Sequence, residues 1–470
     1  MRRSTFSILC ALLVATSCIK MDFIFPGSGS TDNTTYYANL FAYNGMQYYY
    51  LWEKEISSEL GQWKTSEDPI AKVAAIRYKD GNGNDIDKWT ELMEDCSPFT
   101  SLVSGNGKTF GMDFVLYGEG NRVVPQITFT YADSPAAKAG LKRGDRIDKV
   151  DGIALTRDNY ADILNEKLYN APGILTLELE NGPTLRLTAV EMYSNPVNVV
   201  RTLSAGDKKL GYLHFSNFTD DAVTDLETAF KGFKADGIDE LVLDLRYNTG
   251  GYVSTAIALA SMIAPEAAVS AQKVFNKSVY NRHLTELLKE NECFDPKYLP
   301  ANPGIEHLWV IVTGHSASAS ESLICGLLPY MQGKLTLVGS NTYGKFCGGF
   351  LITAEEWYDA LAEESLTVNC EDGKKSTAGW GLYVIASRYA DCNGITRSMP
   401  SGIPADYEAL DRPADGYQLG DPEESMLAEV LRLSAGAPLV AKPAVKGSAA
   451  EQAASEELPF ERPGAGALLL

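Results

Sequence analysis

The chain has 470 residues, 45% of them hydrophobic and 22% charged, and carries a formal net charge of −20. Its length predicts about three domains, and its composition is that of a folded globular protein. The acidity excludes nucleic-acid binding, which needs a basic face, and otherwise speaks only of solubility.

In chain order, Arg2 and Arg3 precede a short apolar run at 8–15, too short to span a bilayer. Residues 1–17 therefore read as a signal peptide. Ala15-Thr16-Ser17-Cys18 resembles a bacterial lipobox. Cys18 is then the expected lipidation site, anchoring the protein to a membrane of the cell envelope. An ordinary secretory signal with Cys18 incidental is the competing reading. Ile19-Lys20-Met21-Asp22 loosely resembles the surface-export signals of Bacteroidetes-type lipoproteins. Residues 18–34 read as a flexible tether.

Cys96, Cys293, Cys325, Cys347, Cys370 and Cys392 lie beyond the lipobox. An envelope location permits disulfides, with Cys370 and Cys392 a candidate pair. No Cys/His cluster has zinc spacing, so no metal or other cofactor is expected.

Residues 35–105 place Tyr36, Tyr37, Leu40, Met46, Tyr49 and Trp52 at helical spacing and predict a helical N-terminal domain. The run from Asp80 to Asp85 has the look of a calcium loop, but Asp85 stands where the sharp turn needs glycine, which favours a plain turn. Residues 106–192 alternate strands and turns. Ser134-Pro135-Ala136-Ala137-Lys138-Ala139-Gly140 reads as a short helix stopped by glycine, followed by a turn into a strand at Ile147.

From 193 to 432 the pattern is α/β. Leu241 to Leu245, broken only by Asp244, and Leu308 to Val312 are apolar runs of the kind buried parallel strands require. Each leads into a loop of interest, where α/β sites collect. The first is Arg246-Tyr247-Asn248-Thr249-Gly250-Gly251. The second is Ser316-Ala317-Ser318-Ala319-Ser320-Glu321, with Thr342-Tyr343-Gly344-Lys345 downstream. A serine hydroxyl needs a base to become a nucleophile, and a lysine serves if burial keeps it neutral. The stretches 264–304 and 353–393 read as insertions or flaps. Residues 433–470 read as a low-complexity tail, with a docked strap ending in Ala467-Leu468-Leu469-Leu470 as the alternative.

The SPAAKAGLKRGDRI stretch resembles a PDZ domain. That module, the LDLRYNTGG turn and the SASASE/TYGK pair, in this order, resemble the carboxyl-terminal processing (tail-specific) proteases, Ser-Lys serine endopeptidases. The layout is most similar to Bacteroidetes lipoprotein members. The resemblance implies a multidomain α/β protein: a helical N-terminal cap, a β-rich PDZ-like domain and a ClpP/crotonase-like protease core with a mostly parallel sheet. It implies Ser318 as nucleophile and Lys345 as general base. It also implies Ala319 N–H as one oxyanion donor and a glycine of the 248–251 turn as the other, Gly250 being chosen over Gly251. Gly111, Met112, Asp113, Phe114 and Val115 become the peptide-binding loop, capturing protein substrates by their C-termini through strand addition. Many family members carry a glutamine four residues after the lysine, where this chain has Gly349. That departure keeps open a catalytically silent peptide-binding scaffold. His315 is the alternative base. Glu321 is assigned to the helix start, and Arg246 and Asn248 to holding their turn. Nothing resembles the paired carboxylates of a glycosidase, and the sequence leaves the oligomeric state open.

Overall fold

The computed structural model describes residues 33–170, 172–288, 291–363, 368–436, 456–459 and 468–469. The expected signal peptide, Cys18 and most of the tether lie outside these residues, as do 437–455 and 460–467 of the expected tail.

A six-stranded sheet runs in the order Val197–Ala205, Lys208–Phe215, Glu240–Asp244, His307–Val312, Leu335–Gly339 and Tyr407–Glu408. Its first pair is an antiparallel hairpin, and every later pair is parallel. Parallel neighbours need crossovers, supplied by the helices Ala222–Asp236, Val253–Ile263 and Ala319–Leu327. Both faces of the sheet are covered by apolar cores, so Glu240–Asp244 is buried along its whole length. This is the mostly parallel α/β core expected from the sequence.

A second sheet runs in the order Gly251–Tyr252, Leu468–Leu469, Cys347–Thr353, Gly381–Asp391, Val274–Tyr280 and Asn291–Cys293, with Glu91–Met93 also pairing Gly381–Asp391. Three of its strands, Val274–Tyr280, Asn291–Cys293 and Gly381–Asp391, come from the stretches expected to be insertions or flaps. The strand Gly381–Asp391 is buried at nearly every position, so it lacks the alternation that marks a strand in sequence. The N-terminal helix Asn33–Tyr49 packs on this sheet. Leu40, Phe41 and Met46 share one core with Leu382, Val384 and Ala386, so the helical region and the second sheet form one packed unit.

The PDZ-like region has its own core, including Phe114, Leu116, Ile127, Ile147, Leu175 and Leu177. Ser134 caps the short helix Pro135–Lys138, its Oγ accepting the Ala137 N–H at 3.1 Å. A buried ionic cluster joins this region to the α/β core. Arg143 donates to Tyr247 Oη at 2.6 Å and pairs with Asp411 at 2.5 Å. Arg246 pairs with Asp244 and Glu424 at 2.7 Å each and with Asp411 at 3.0 Å.

The candidate disulfide is absent: the six described cysteines are all free thiols. Cys370 packs in the N-terminal core. Cys392 follows the far end of the 11-residue strand Gly381–Asp391, roughly 35 Å long at ordinary strand rise. At Asp80 the carboxylate accepts the amides of Asn82 and Asn84, and Asp85 pairs with Lys79, closing a turn on its own groups.

Candidate active site

The strand His307–Val312 delivers the chain into the serine cluster, and Ser318 sits at the N-cap of the helix Ala319–Leu327. Its backbone is left-handed, with φ 60° and ψ −110°. For a residue with a Cβ this costs about 1–3 kcal/mol and persists only where surrounding contacts enforce it. Those contacts are present. Ala317 N–H and Ser320 Oγ both donate to Asn248 O at 3.0 Å, and Ser316 Oγ donates to Leu245 O at 2.7 Å. Ser318 is fully buried, and its Oγ has no hydrogen-bond partner among the described residues.

Glu321 organises the surroundings. Its buried carboxylate accepts the N–H of Ser318 at 3.0 Å, of Gly344 at 2.6 Å and of Lys345 at 2.8 Å, and the Thr342 hydroxyl at 2.6 Å. Burial raises its pKa, opposed by these four donors. Ser318 and Lys345 thus hang on the same carboxylate oxygen, Oε2. Tyr389 repeats the clamp on the other side, its hydroxyl donating to Ser318 O at 3.1 Å and Lys345 O at 2.9 Å. Sequence reading placed Glu321 at the helix start but missed its grip on the lysine turn, and missed Tyr389 altogether.

Lys345 is fully buried. Desolvation pulls its amine down to about 8, against the opposing charges of Asp87, Glu321 and Glu91. Nζ donates to Tyr383 Oη at 3.3 Å and lies 4.7 Å from the centre of the Trp89 ring. Both partners come from regions the sequence gave no reason to inspect: a strand read as a flap, and the N-terminal helical region. Gly349 cannot be a vacant position for an orienting side chain. A Cβ there would lie 2.2 Å from Val384 O in the neighbouring strand.

The Asn248–Gly251 turn lies against the serine cluster through Asn248 O. Here the structure corrects the choice of Gly250 as oxyanion donor: its N–H donates inward to Asn248 Oδ1 at 2.9 Å. Asn248 is in turn fixed by donating from Nδ2 to Phe215 O at 2.9 Å. Gly251, with φ 134°, crosses so close to Phe218 that a Cβ would lie 2.4 Å from Phe218 O. Only glycine fits there, and its peptide is the turn's next candidate donor. Ala319 is the first residue of its helix, and such N–H groups have no partner within the helix.

His315 faces away from Ser318. Its Nε2 bonds Glu457 Oε1 at 2.5 Å, and its ring lies 6.5 Å from that of Tyr247. Arg246 is consumed by the buried ionic cluster. In the expected peptide-binding loop, Gly111 N–H donates to Thr109 Oγ1 at 3.0 Å, and Gly111 O accepts from Tyr131 N–H and Ser134 Oγ, both at 3.0 Å. That glycine's polar groups are therefore satisfied locally. Met112, Asp113, Phe114 and Val115 begin the strand Met112–Glu119, with a bulge between Asp113 and Phe114. Phe114 is buried in the PDZ-like core.

Residues 209–408 match the model of peptidase family S41, and residues 127–167 match a PDZ domain. Over residues 209–408 the chain is thus similar to peptidase family S41. It is similar to a "Probable CtpA-like serine protease" of Staphylococcus saprophyticus, 27% identical over 346 residues, covering 72% of this chain and 63% of that protein. It is also similar to a "Carboxy-terminal-processing protease" of Bartonella bacilliformis, 25% identical over 246 residues, covering 52% and 53%. The chain thus spans between half and two thirds of the length of these curated relatives. In fold it is similar to a crystal structure from Bacteroides fragilis described as an S41 protease, with a TM-score of 0.65, 19% identity, and coverage of 88% of this chain and 99% of that one.

Proposed function

We propose that this protein is a serine endopeptidase of peptidase family S41 in the bacterial envelope, anchored by a lipid on Cys18, that cleaves extended or unfolded protein segments presented through the PDZ domain, C-termini among them. The observation that carries the reading is the shared clamp. A fully buried lysine, its amine held down to about 8, donates its backbone N–H to the same carboxylate oxygen as a buried serine whose hydroxyl has no hydrogen-bond partner among the described residues.

The chemistry follows from those groups. Neutral Lys345 takes the Ser318 proton as Oγ attacks the peptide carbonyl, and the ammonium then gives that proton to the leaving amine. The negative oxygen of the tetrahedral intermediate is met by the Ala319 N–H and by the glycine turn. The dipole of the helix Ala319–Leu327 adds to the same effect. Water then hydrolyses the acyl-serine with Lys345 again as base.

Casein cleavage by the protein beginning at residue 19 tests the chemistry. Ser318→Ala and Lys345→Met should each lower kcat by roughly 10³-fold or more, and the double variant should be little worse than either, because the pair acts as a unit. Full activity in Lys345→Met would remove the lysine from the mechanism. The anchor is tested separately. Cys18→Ala should abolish labelling by a fatty-acid analogue and release the protein from the membrane fraction. A wild-type chain that never labels would make it an ordinary exported protein.

A further inference from the structure

Two short stretches near the end of this sequence dock onto the rest of the chain. Glu456–Leu458 adds as an antiparallel third strand to Met112–Glu119, pairing Glu456 with Gly118, Glu457 with Tyr117 and Leu458 with Leu116. This is the edge opposite Arg122–Thr130, and strand addition at an edge is how an extended peptide is held by main-chain hydrogen bonds. Leu458 is only 8% exposed and joins the PDZ core, passing over Gly118. Side chains add a pattern of recognition. Glu456 meets Arg157 at 2.9 Å, Glu457 meets His315 at 2.5 Å, and Tyr160 donates its hydroxyl to Pro459 O at 3.1 Å.

Farther on, Leu468–Leu469 lies parallel to Gly251–Tyr252, with Leu468 opposite Gly251, and Leu469 is also opposite Gly349. It fills the slot between the catalytic glycine turn and the strand that follows Lys345. The nine residue steps from 459 to 468 can reach at most about 32 Å, so the two docking points lie within that distance of each other.

We propose that residues 456–459 and 468–469 are an internal ligand of the substrate path, so that the chain competes with its own substrates. The two stretches occupy the strand-addition edge of the PDZ domain and the strand slot beside the nucleophile. The same contacts define the class of external ligand: an extended segment with acidic residues where Glu456 and Glu457 lie and an apolar residue where Leu458 is buried. The competition with catalysis rests on the peptidase reading; the docking does not. A tethered ligand is present at an effective concentration in the millimolar range, enough to hold off a free peptide of ordinary affinity.

The test uses the full chain from residue 19 and a fluorescent peptide of residues 454–470 as probe. In a Ser318→Ala background, Leu458→Asp should free the path, and the probe should bind about tenfold more tightly than to the chain with its own Leu458. Glu457→Lys, an exposed change that disturbs no core, should give a smaller gain of about threefold. In the chain with Ser318 intact, Leu458→Asp should lower the KM for an unfolded substrate by about tenfold. Equal probe binding with and without these substitutions would overturn the proposal. Tighter probe binding with no cleavage by any variant would leave the internal ligand standing and remove the peptidase reading instead.

Discussion

At the scale of single residues, burial is what makes Lys345 a candidate base. With its amine near 8, roughly one molecule in ten carries the neutral form at pH 7. Proton abstraction needs that form, so kcat/KM should rise with pH through a limb centred near 8, read from a pH–rate profile. A limb above 10 would mean that the amine is solvated in the working protein. Tyr383 stands where its hydroxyl orients Nζ, at 3.3 Å. Tyr383→Phe keeps the ring against Phe99 and removes the hydroxyl that meets Nζ. It should lower kcat about tenfold, equal to about 1.4 kcal/mol, and leave KM unchanged. An unchanged kcat would assign the orientation of the lysine to its other contacts.

At the scale of elements, the strand Cys347–Thr353 explains why this chain does without a side chain at 349. The strand shifts register between Gly348 and Gly349 as it pairs with Gly381–Asp391, and backbone meets backbone there. Gly349→Gln, a change that resemblance alone would suggest as a repair, should therefore damage the protein. Its Cβ would meet Val384 O at 2.2 Å, so the strands must part. Overpacking of this kind costs about 1–3 kcal/mol or more. The expected result is a lower Tm and reduced cleavage; higher activity at unchanged Tm would restore the glutamine argument. The strained Ser318 and the crossing at Gly251 follow the same logic, since each is held by neighbouring elements rather than by local preference.

At the scale of the whole molecule, Arg143 and Arg246 share Asp411 and Glu424 in a buried cluster that spans the PDZ region and the α/β core. Arg143→Met would leave Asp244, Asp411 and Glu424 facing one arginine. Breaking a buried pair from one side costs about 3–5 kcal/mol, because the remaining charge stays desolvated. Denaturant unfolding should register that loss, and a change below about 1 kcal/mol would show that the cluster is not what couples the two regions. Because Tyr247 directly precedes Asn248, the same variant should also loosen the glycine turn.

The sequence by itself determined the family resemblance and named the candidate residues. Apolar runs marked the buried parallel strands, SPAAKAGLKRGDRI marked the PDZ module, and Ser318 and Lys345 stood out because glycines and small residues surround them. These signals are local, so they survive in one dimension. Tertiary structure decided how the lysine is buried and which groups surround it. Trp89, Glu321, and the pair Tyr383 and Tyr389 converge from three separate stretches, and nothing in their spacing announces it. It also turned the Gly250 amide inward, sent His315 to the tail, and made strands of segments that read as flaps. A strand buried on both faces shows no alternation, and a hydrogen bond between residues far apart in the chain leaves no periodic trace. Those features exist only once the second sheet has closed over the first.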